Sequence, residues 1–331
     1  MSNLAKIVEW RGDVVENIHH ALICIVNDKK QVLMQSGDIH DQPIFYRSAL
    51  KPIQAIPVFE SGIIEKYNIT SRESALFPAS HRGESYHIQE LESLMDKLEI
   101  PENLLVCHQS YPLNEEPKST CLWNHIPKRR LFHNCSGKHL GMIATAREKQ
   151  WPIESYEETH HPLQQRILHI LSYLSEIDSN FIHTGVDGCG VPVHAVPLYH
   201  MALSYLKLGC PDLINNESIK QAVNDMSIVM TKHPEMIASH QFICTALLED
   251  SNIIAKGGAQ GVYAFALKKE RISVALKVQS GNENVWPILI ACILERLHYQ
   301  NQSTIQRLYQ LRSKNIVNDG GQIIGKTTIE W

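Results

Sequence analysis

Apolar positions recur at two different spacings along the chain. Near its start, residues 21–26 form an apolar run and residues 31–35 a second, separated by Asn27-Asp28-Lys29-Lys30. Two β-type runs joined by a polar tetrapeptide predict a hairpin. Toward the end, residues 252–256, 261–266 and 272–278 read as short strands divided by glycine and charge. The middle has a helical period. Ile88, Leu91, Leu94, Met95 and Leu98 sit three or four residues apart in 85–98, one face of a helix. Residues 163–174, 195–208 and 219–230 repeat the pattern, and 285–299 reads as a helix packed back on the sheet. The fold class expected is α+β: one domain over 1–331, its sheet drawn from about 1–50 and 240–331, with a helical region at about 85–232.

Composition narrows the setting. The chain has 331 residues, 44% hydrophobic and 20% charged, enough to bury a large core. A net charge of −4 gives no footprint for nucleic acid or an anionic membrane. The longest basic run, Lys128-Arg129-Arg130, reads as a solvated loop. Residues 1–13 carry Lys6, Glu9, Arg11 and Asp13 without an apolar segment, so no secretory leader is expected. The apolar run 285–294 contains Pro287 and is too short to span a bilayer. Eight cysteines, Cys24, Cys107, Cys121, Cys135, Cys189, Cys210, Cys244 and Cys292, are scattered rather than clustered. They read as reduced thiols of a cytoplasmic protein, mostly small core residues.

Three elements then suggest acyl-transfer chemistry. Ser48 and Lys51 stand one helical turn apart, and a neutral lysine within reach of a serine can take its proton. Such a lysine must first lose its charge through burial or a second cation. Ser80-His81-Arg82 follows, then Lys256-Gly257-Gly258 at the end of an expected strand. This is the order of the S-x-x-K, S-x-N and K-T-G elements of penicillin-binding serine enzymes. Arg82 replaces the asparagine and Gly257 the hydroxyl residue, which argues against a β-lactam substrate. A second copy of the spacing, Ser204-Tyr205-Leu206-Lys207, reads as ordinary helix surface.

Two further segments concentrate reactive side chains: His133-Asn134-Cys135-Ser136-Gly137-Lys138-His139 and Gly185-Val186-Asp187-Gly188-Cys189. Both look like loops entering helices. Cys135 and Cys189 could share a metal, and thiolate chemistry alone would add His139 or His133 as the third ligand. Two buried thiols or a redox-labile pair are the other readings.

Together with Arg47-Ser48-Ala49-Leu50-Lys51-Pro52, Ser80-His81-x-Gly83-Glu84 and Lys256-Gly257-Gly258-Ala259-x-Gly261-Val262, these blocks resemble the signature of the Rhizobium-type L-asparaginases, the "L-asparaginase II" family. The resemblance implies a serine β-lactamase-like fold and a homodimer. It implies hydrolysis of L-asparagine to L-aspartate and ammonia through two serine–lysine tandems, Ser48 with Lys51 and Ser80 with Lys256. It also implies zinc held by Cys135, Cys189 and Lys138, with the lysine neutral and the metal tuning substrate binding. Gln260, the stretch Gly190-Val191-Pro192-Val193-His194 and the tail 324–331 depart from the family pattern.

Arg47, His81, Asn134, His139 and Asp187 are candidates for holding the substrate. Arg47 would face the α-carboxylate or form a structural ion pair, and Asp187 would face the α-ammonium or orient Lys138 and His139. His81 could equally be structural. The rival readings are another serine amidohydrolase, directed at glutamine, peptides or β-lactams, and a non-catalytic amino-acid or zinc sensor. Asparaginases with threonine nucleophiles are a poor match, since no Thr-Gly-Gly-Thr segment occurs.

Overall fold

The computed structural model describes residues 4–331; residues 1–3, part of the opening stretch read for a leader, lie outside it. The chain divides into two compact units, each assembled from discontinuous segments. One comprises the chain up to Ala49 with Ala195–Gly209 and Gln241–Trp331; the other comprises Leu50–His194 and Cys210–His240.

The first unit is built on an antiparallel eight-stranded sheet, as the α+β expectation requires. Its strands are β1 (Ala5–Arg11), β2 (Val14–Asn27), β3 (Val32–Ser36), β4 (Ile253–Gly257), β5 (Val262–Leu267), β6 (Ile272–Val278), β7 (Asn315–Val317) and β8 (Ile323–Glu330). They run in the order β7-β8-β1-β2-β6-β5-β4, with β3 also on β2. The long β2 allows this, because its first half pairs with β1 and Ile23 to Val26 pair with β3 along the same edge. Strands β4 and β5 are buried at every position, as expected of strands covered on both faces. The Leu198–Gly209 helix packs on β2, β4, β5 and β6. Gly209 permits its close approach, since a Cβ there would lie 2.6 Å from Ala266 Cβ.

That helix corrects two expectations. Residues 195–197 end the strand Pro192–Pro197 rather than start a helix, because Ala195 and Val196 pair with Phe45 and Ile44; the helix begins only after Pro197. Ser204 and Lys207 are not surface residues. Both are buried: the Tyr46 hydroxyl donates to Ser204 Oγ (2.9 Å), which donates onward to the Met201 carbonyl, while Tyr205 donates to the Ala49 carbonyl at 2.7 Å.

The second unit is mainly helical. Its centre is the Lys51–Glu60 helix, buried from Lys51 through Val58 and packed against the helices Ser136–Glu148, Pro162–Ser175 and Glu217–Lys232. In the Lys128-Arg129-Arg130 run Lys128 is exposed, as a solvated loop requires, but the two arginines are half-buried and held. Arg129 pairs with Glu92 and Glu102, and Arg130 Nη1 donates to the carbonyls of Leu105, Val106 and Cys107. Seven of the eight cysteines are buried, consistent with small core residues. Among the described residues no helix is long and apolar enough to cross a membrane.

One polar knot fastens the end of the first unit. Asp250 Oδ2 accepts from Tyr299 (2.6 Å), Thr304 (2.7 Å) and Asn301 (2.8 Å), and Oδ1 accepts from the Asn252 N–H (3.1 Å). This ties the start of β4 to the linker between the helices Trp286–Arg296 and Gln302–Leu311. Burial pushes the carboxyl's pKa up, but these donors outweigh it and hold it below its usual value. A depressed carboxylate pKa stabilises the fold fully above the unfolded value of about 4, and the benefit is lost as pH falls through the lower folded value. Asp250→Asn is therefore expected to lower stability at neutral pH by roughly 1.5–3 kcal/mol. In denaturant titrations the gap to wild type should shrink as pH falls from about 4 toward the folded pKa; a gap independent of pH would refute the charge-based account.

Candidate active site

In the second unit the site is built around the first residue of its central helix. Pro52, in the first turn, has no N–H to lose and has its φ preset for the helix. This leaves Lys51 at the buried end, 1% exposed. Its Nζ donates to the Ala79 carbonyl (2.7 Å), Ser80 Oγ (2.9 Å) and the Asn134 carbonyl (3.0 Å). An ammonium has three protons, and three oxygens receive them. A neutral amine would fit the same place, giving two protons to the carbonyls and turning its lone pair to the Ser80 hydroxyl. Burial pushes the Lys51 pKa down; the nearby Cys135 opposes the shift and Lys138 adds to it.

The Ser80 segment is positioned from two sides. The Ser80 and Arg82 N–H groups donate to the carbonyls of Ile237 (2.8 Å) and Ala238 (3.1 Å). On the other side, the Ser136–Glu148 helix lies directly against Leu76 and Phe77. A Cβ at Gly137 would be 2.5 Å from the Leu76 carbonyl oxygen, and one at Gly141 would be 2.8 Å from Phe77 Cδ1. Ser80 is half-buried, so the serine can be reached while its lysine cannot.

His81 is fully buried, with Nε2 2.8 Å from Ser136 Oγ. Ser136 gives its proton to the Leu131 carbonyl at 3.0 Å, so it must accept from His81 Nε2–H. Burial, then the charges of His87 and Lys51, hold this imidazole well below its usual pKa. It is a neutral strut between the Ser80 loop and the Ser136–Glu148 helix.

Cys135, Lys138 and Cys189 gather in the same unit. Lys138 Nζ lies 3.1 Å from Cys189 Sγ. Cys189 hydrogen-bonds Cys135, and Cys135's pKa falls well below its usual value, with Lys51 and Lys138 adding to the effect, while that of Cys189 rises. Burial pushes Lys138 down, but Cys189 and Cys135 outweigh it and raise its pKa, so the lysine stays protonated beside the sulfurs. A metal ion on the sulfurs would have to displace that proton to give the neutral Lys138 of the zinc expectation. His139 Nδ1 is 2.6 Å from the Tyr156 hydroxyl, which also accepts from the Val106 N–H at 2.9 Å. His139 Nε2 is buried without a well-formed partner. Burial lowers this imidazole's pKa to about 4 against the pull of Cys189. Among the described residues no three His, Cys, Asp or Glu side chains gather as a metal site. The two sulfurs with the Lys138 amine nonetheless suit a borderline-soft ion such as zinc. The orphaned His139 nitrogen gives that site an outer donor.

Asp187 opens the turn that carries Cys189: its N–H donates to the Val191 carbonyl, and it accepts from the Gly190 N–H, both at 2.9 Å. Gly190 has φ of +93°, which an L side chain rarely adopts. The Asp187 charge raises the Lys138 pKa, so the residue acts on the site electrostatically. Asn134 contributes its carbonyl to Lys51, a main-chain role that no side-chain motif reveals.

The first unit places Ser48 and Lys256. Ser48 lies in the 3-10 turn Arg47–Leu50, where Arg47 has φ of +50°. Such a conformation is unusual for a non-glycine residue and is held only by its surroundings. Here the Ala49 N–H donates to the Tyr46 carbonyl at 3.1 Å, and Tyr205 holds the Ala49 carbonyl. Lys256 is buried, with Nζ 2.9 Å from the Gly257 carbonyl. Gly258 brings this strand end against the turn, since a Cβ there would be 2.5 Å from the Tyr46 carbonyl oxygen. Cys244 supports the arrangement, its sulfur accepting from Gly257 N–H (3.3 Å) and the Tyr263 hydroxyl (3.4 Å). Sequence reasoning missed Tyr156, Tyr205, Tyr263 and Cys244, which act by packing and carry no motif.

A family model described as L-asparaginase II matches residues 7–329. No curated protein matches the chain. Among solved structures, the chain is similar to a β-lactamase from Mycobacterium bovis (15% identity, 83% of this chain and 94% of that one, TM-score 0.43). It is also similar to a Bacillus glutaminase (12%, 85% and 92%, TM-score 0.41) and to the D-alanine carboxypeptidase AmpC from Burkholderia cenocepacia (11%, 88% and 93%, TM-score 0.38).

The two helical glycines differ in what an added methyl would strike. At Gly137 it meets a backbone carbonyl, and at Gly141 the edge of a phenyl ring. Alanine is otherwise the better helix former by about 1 kcal/mol, but overpacking costs about 1–3 kcal/mol, and backbone yields less than a ring. Gly137→Ala is expected to destabilise more than Gly141→Ala in denaturant titrations. Equal or reversed effects would remove the close Leu76 contact as the reason for Gly137.

Proposed function

The chain belongs to the L-asparaginase II family, and on that footing we propose that it hydrolyses the side-chain amide of L-asparagine, releasing L-aspartate and ammonia. The observation that carries this reading is the buried Lys51, hydrogen-bonded to Ser80 and depressed in pKa by its burial. A lysine with a lowered pKa can act as a base near neutral pH.

In this mechanism neutral Lys51 takes the Ser48 proton as Ser48 Oγ bonds to the amide carbon. The C–N bond then breaks as the departing nitrogen receives a proton passed from Lys51 through Ser80. Water attacks the resulting ester, gives its proton to the same lysine and restores Ser48. Lys256, buried in the first unit beside the Ser48 turn, supplies the second cation of the tandem arrangement. Positioned proton transfer of this kind contributes about 10²–10⁴ in rate. The Ser48 N–H, in the strained turn, is the candidate oxyanion donor. Arg47 and Asp187 would bind the substrate's carboxylate and ammonium.

Cys135, Cys189 and Lys138 would hold a zinc ion, which would supply a fixed positive charge that tunes substrate binding. Because Lys138 is protonated beside the sulfurs, the ion must displace that proton, as metal binding to protonated ligands does. A homodimer is part of the same proposal. Glutamine is the nearest rival substrate, since one methylene alters discrimination by only about 1–3 kcal/mol.

Purified wild type should release ammonia from L-asparagine faster than from L-glutamine. Ser48→Ala should lose about 10²-fold or more, and Ser80→Ala should fall in kcat more than it rises in KM. Saturable asparagine binding without ammonia release would replace this reading with the sensor. Metal analysis by mass spectrometry should find zinc in wild type and not in Cys135→Ser. Equal zinc in both would remove Cys135 from the ligand set.

A further inference from the structure

At the far end of the second unit's central helix lies a cleft of about 330 Å³, within the size range of small-molecule sites. The helices Lys51–Glu60 and Ser136–Glu148 both present their C-terminal ends to it, through Pro57 and Glu60 on one and Thr145 on the other. Glu60 closes the ten-residue helix that Lys51 opens, nine steps or about 13.5 Å of rise away. It is therefore not the serine–lysine site.

The cleft is rich in unused donors. Thr145 is 1% exposed, and its hydroxyl is buried without a hydrogen-bond partner. A buried hydroxyl left unpaired costs about 1–3 kcal/mol, so it is the group that most needs a ligand. Lys149, at the cap of the same helix, has an ammonium without a partner among the described residues. The Trp151 indole also lines the cleft, and its N–H is unpaired among the described residues.

The acceptors, by contrast, are spent. Glu60 is 8% exposed at its side chain, and its oxygens take Arg166 Nε and Nη2 and the Ser218 hydroxyl. Arg166 thus cancels the carboxylate's charge and leaves Lys149 as the net charge of the cleft. The carbonyls that would give these helix ends a negative pole are also covered. Thr145, Ala146 and Arg147 accept from Lys149, Trp151 and Gln150 N–H groups, and Val58 accepts from both the N–H and the hydroxyl of Ser61. Free donors, paired acceptors and an indole against Pro57 together describe a site for an anion with an apolar body.

We propose that this cleft binds a small organic acid, one carboxylate on a flat apolar body. The carboxylate would take the Thr145 hydroxyl and the Lys149 ammonium, and the apolar body would lie against Trp151 and Pro57. Binding here is independent of the amide-hydrolysis reading.

Phenylacetate is the probe, titrated into the full chain by calorimetry and ligand-observed NMR, with neutral phenylacetamide as the control. Saturable binding of phenylacetate is expected, with phenylacetamide much weaker. Lys149→Gln and Thr145→Val should each weaken it by about tenfold or more, the loss of one charge-assisted or buried hydrogen bond. Thr145→Val is nearly isosteric, and thermal melting checks its fold; Lys149 is exposed, so its variant tests the site even if the other fails to fold. Ser48→Ala should bind phenylacetate as wild type does. Absence of saturation, equal binding of the amide, or loss in Ser48→Ala with retention in Lys149→Gln would each overturn the proposal.

Discussion

The second unit depends on one buried ammonium-sized group and the three oxygens around it. Lys51 Nζ joins the beginning of the central helix to the carbonyl before Ser80, to Ser80 itself and to the carbonyl before Cys135. These groups come from three stretches of chain far apart in sequence. Removing the amine would leave two buried carbonyls without donors, each costing about as much as a lost hydrogen bond. The same contact that holds the segments together therefore places an amine beside a reachable serine. Structural and chemical demands on Lys51 are not separable here.

The rest of the unit preserves that contact. The Ser136–Glu148 helix can lie on Leu76 and Phe77 because Gly137 and Gly141 have no side chains. Its first turn then carries Ser136 to His81 and Lys138 to Cys189. His81, kept neutral by burial and His87, fixes the loop without adding a charge beside Lys51. In the first unit the corresponding restraint is steric: Gly258 admits the Tyr46 carbonyl, and Tyr205 holds the other end of the Ser48 turn. Both serines are half-buried while Lys51 and Lys256 are buried.

Much of this was legible in the residues, for physical reasons that can be named. Residues 85–98 coincide with the observed helix Ser85–Leu98, because a one-sided apolar face leaves a clear 3.6-residue period. The strand at 272–278 and the Asn27–Lys30 turn also follow from local chemistry. The strands β7 and β8 were less visible, since they lie at the sheet edge with mostly exposed or half-buried positions and little apolar patterning. Residues 195–197 misled because the end of the strand and the buried helix after it are both largely apolar, which periodicity cannot divide. In the site, the serine–lysine spacing and the Cys-Ser-Gly-Lys-His block pointed to the right segments. The Lys51–Ser80 bond and the Tyr156–His139 contact were invisible because each joins residues whose approach only the tertiary fold determines.

Two buried lysines in one unit would be untenable if both were charged alike and unpaired. The sulfurs resolve this unequally. Cys135 is held well below its usual thiol pKa, chiefly by Cys189, and Lys138, 3.1 Å from Cys189, is raised by both sulfurs against its burial. Lys51 feels the same negative charge, but it also feels Lys138 as a like charge, and burial tips it the other way. The two buried lysines are thus shifted in opposite directions. Placing a divalent ion on the sulfurs would keep positive charge next to Lys51 and press it further in that direction. In the proposed mechanism the cysteine–lysine cluster and the serine–lysine pair are then two halves of one electrostatic arrangement: the first would set the charge against which the second acts as a base.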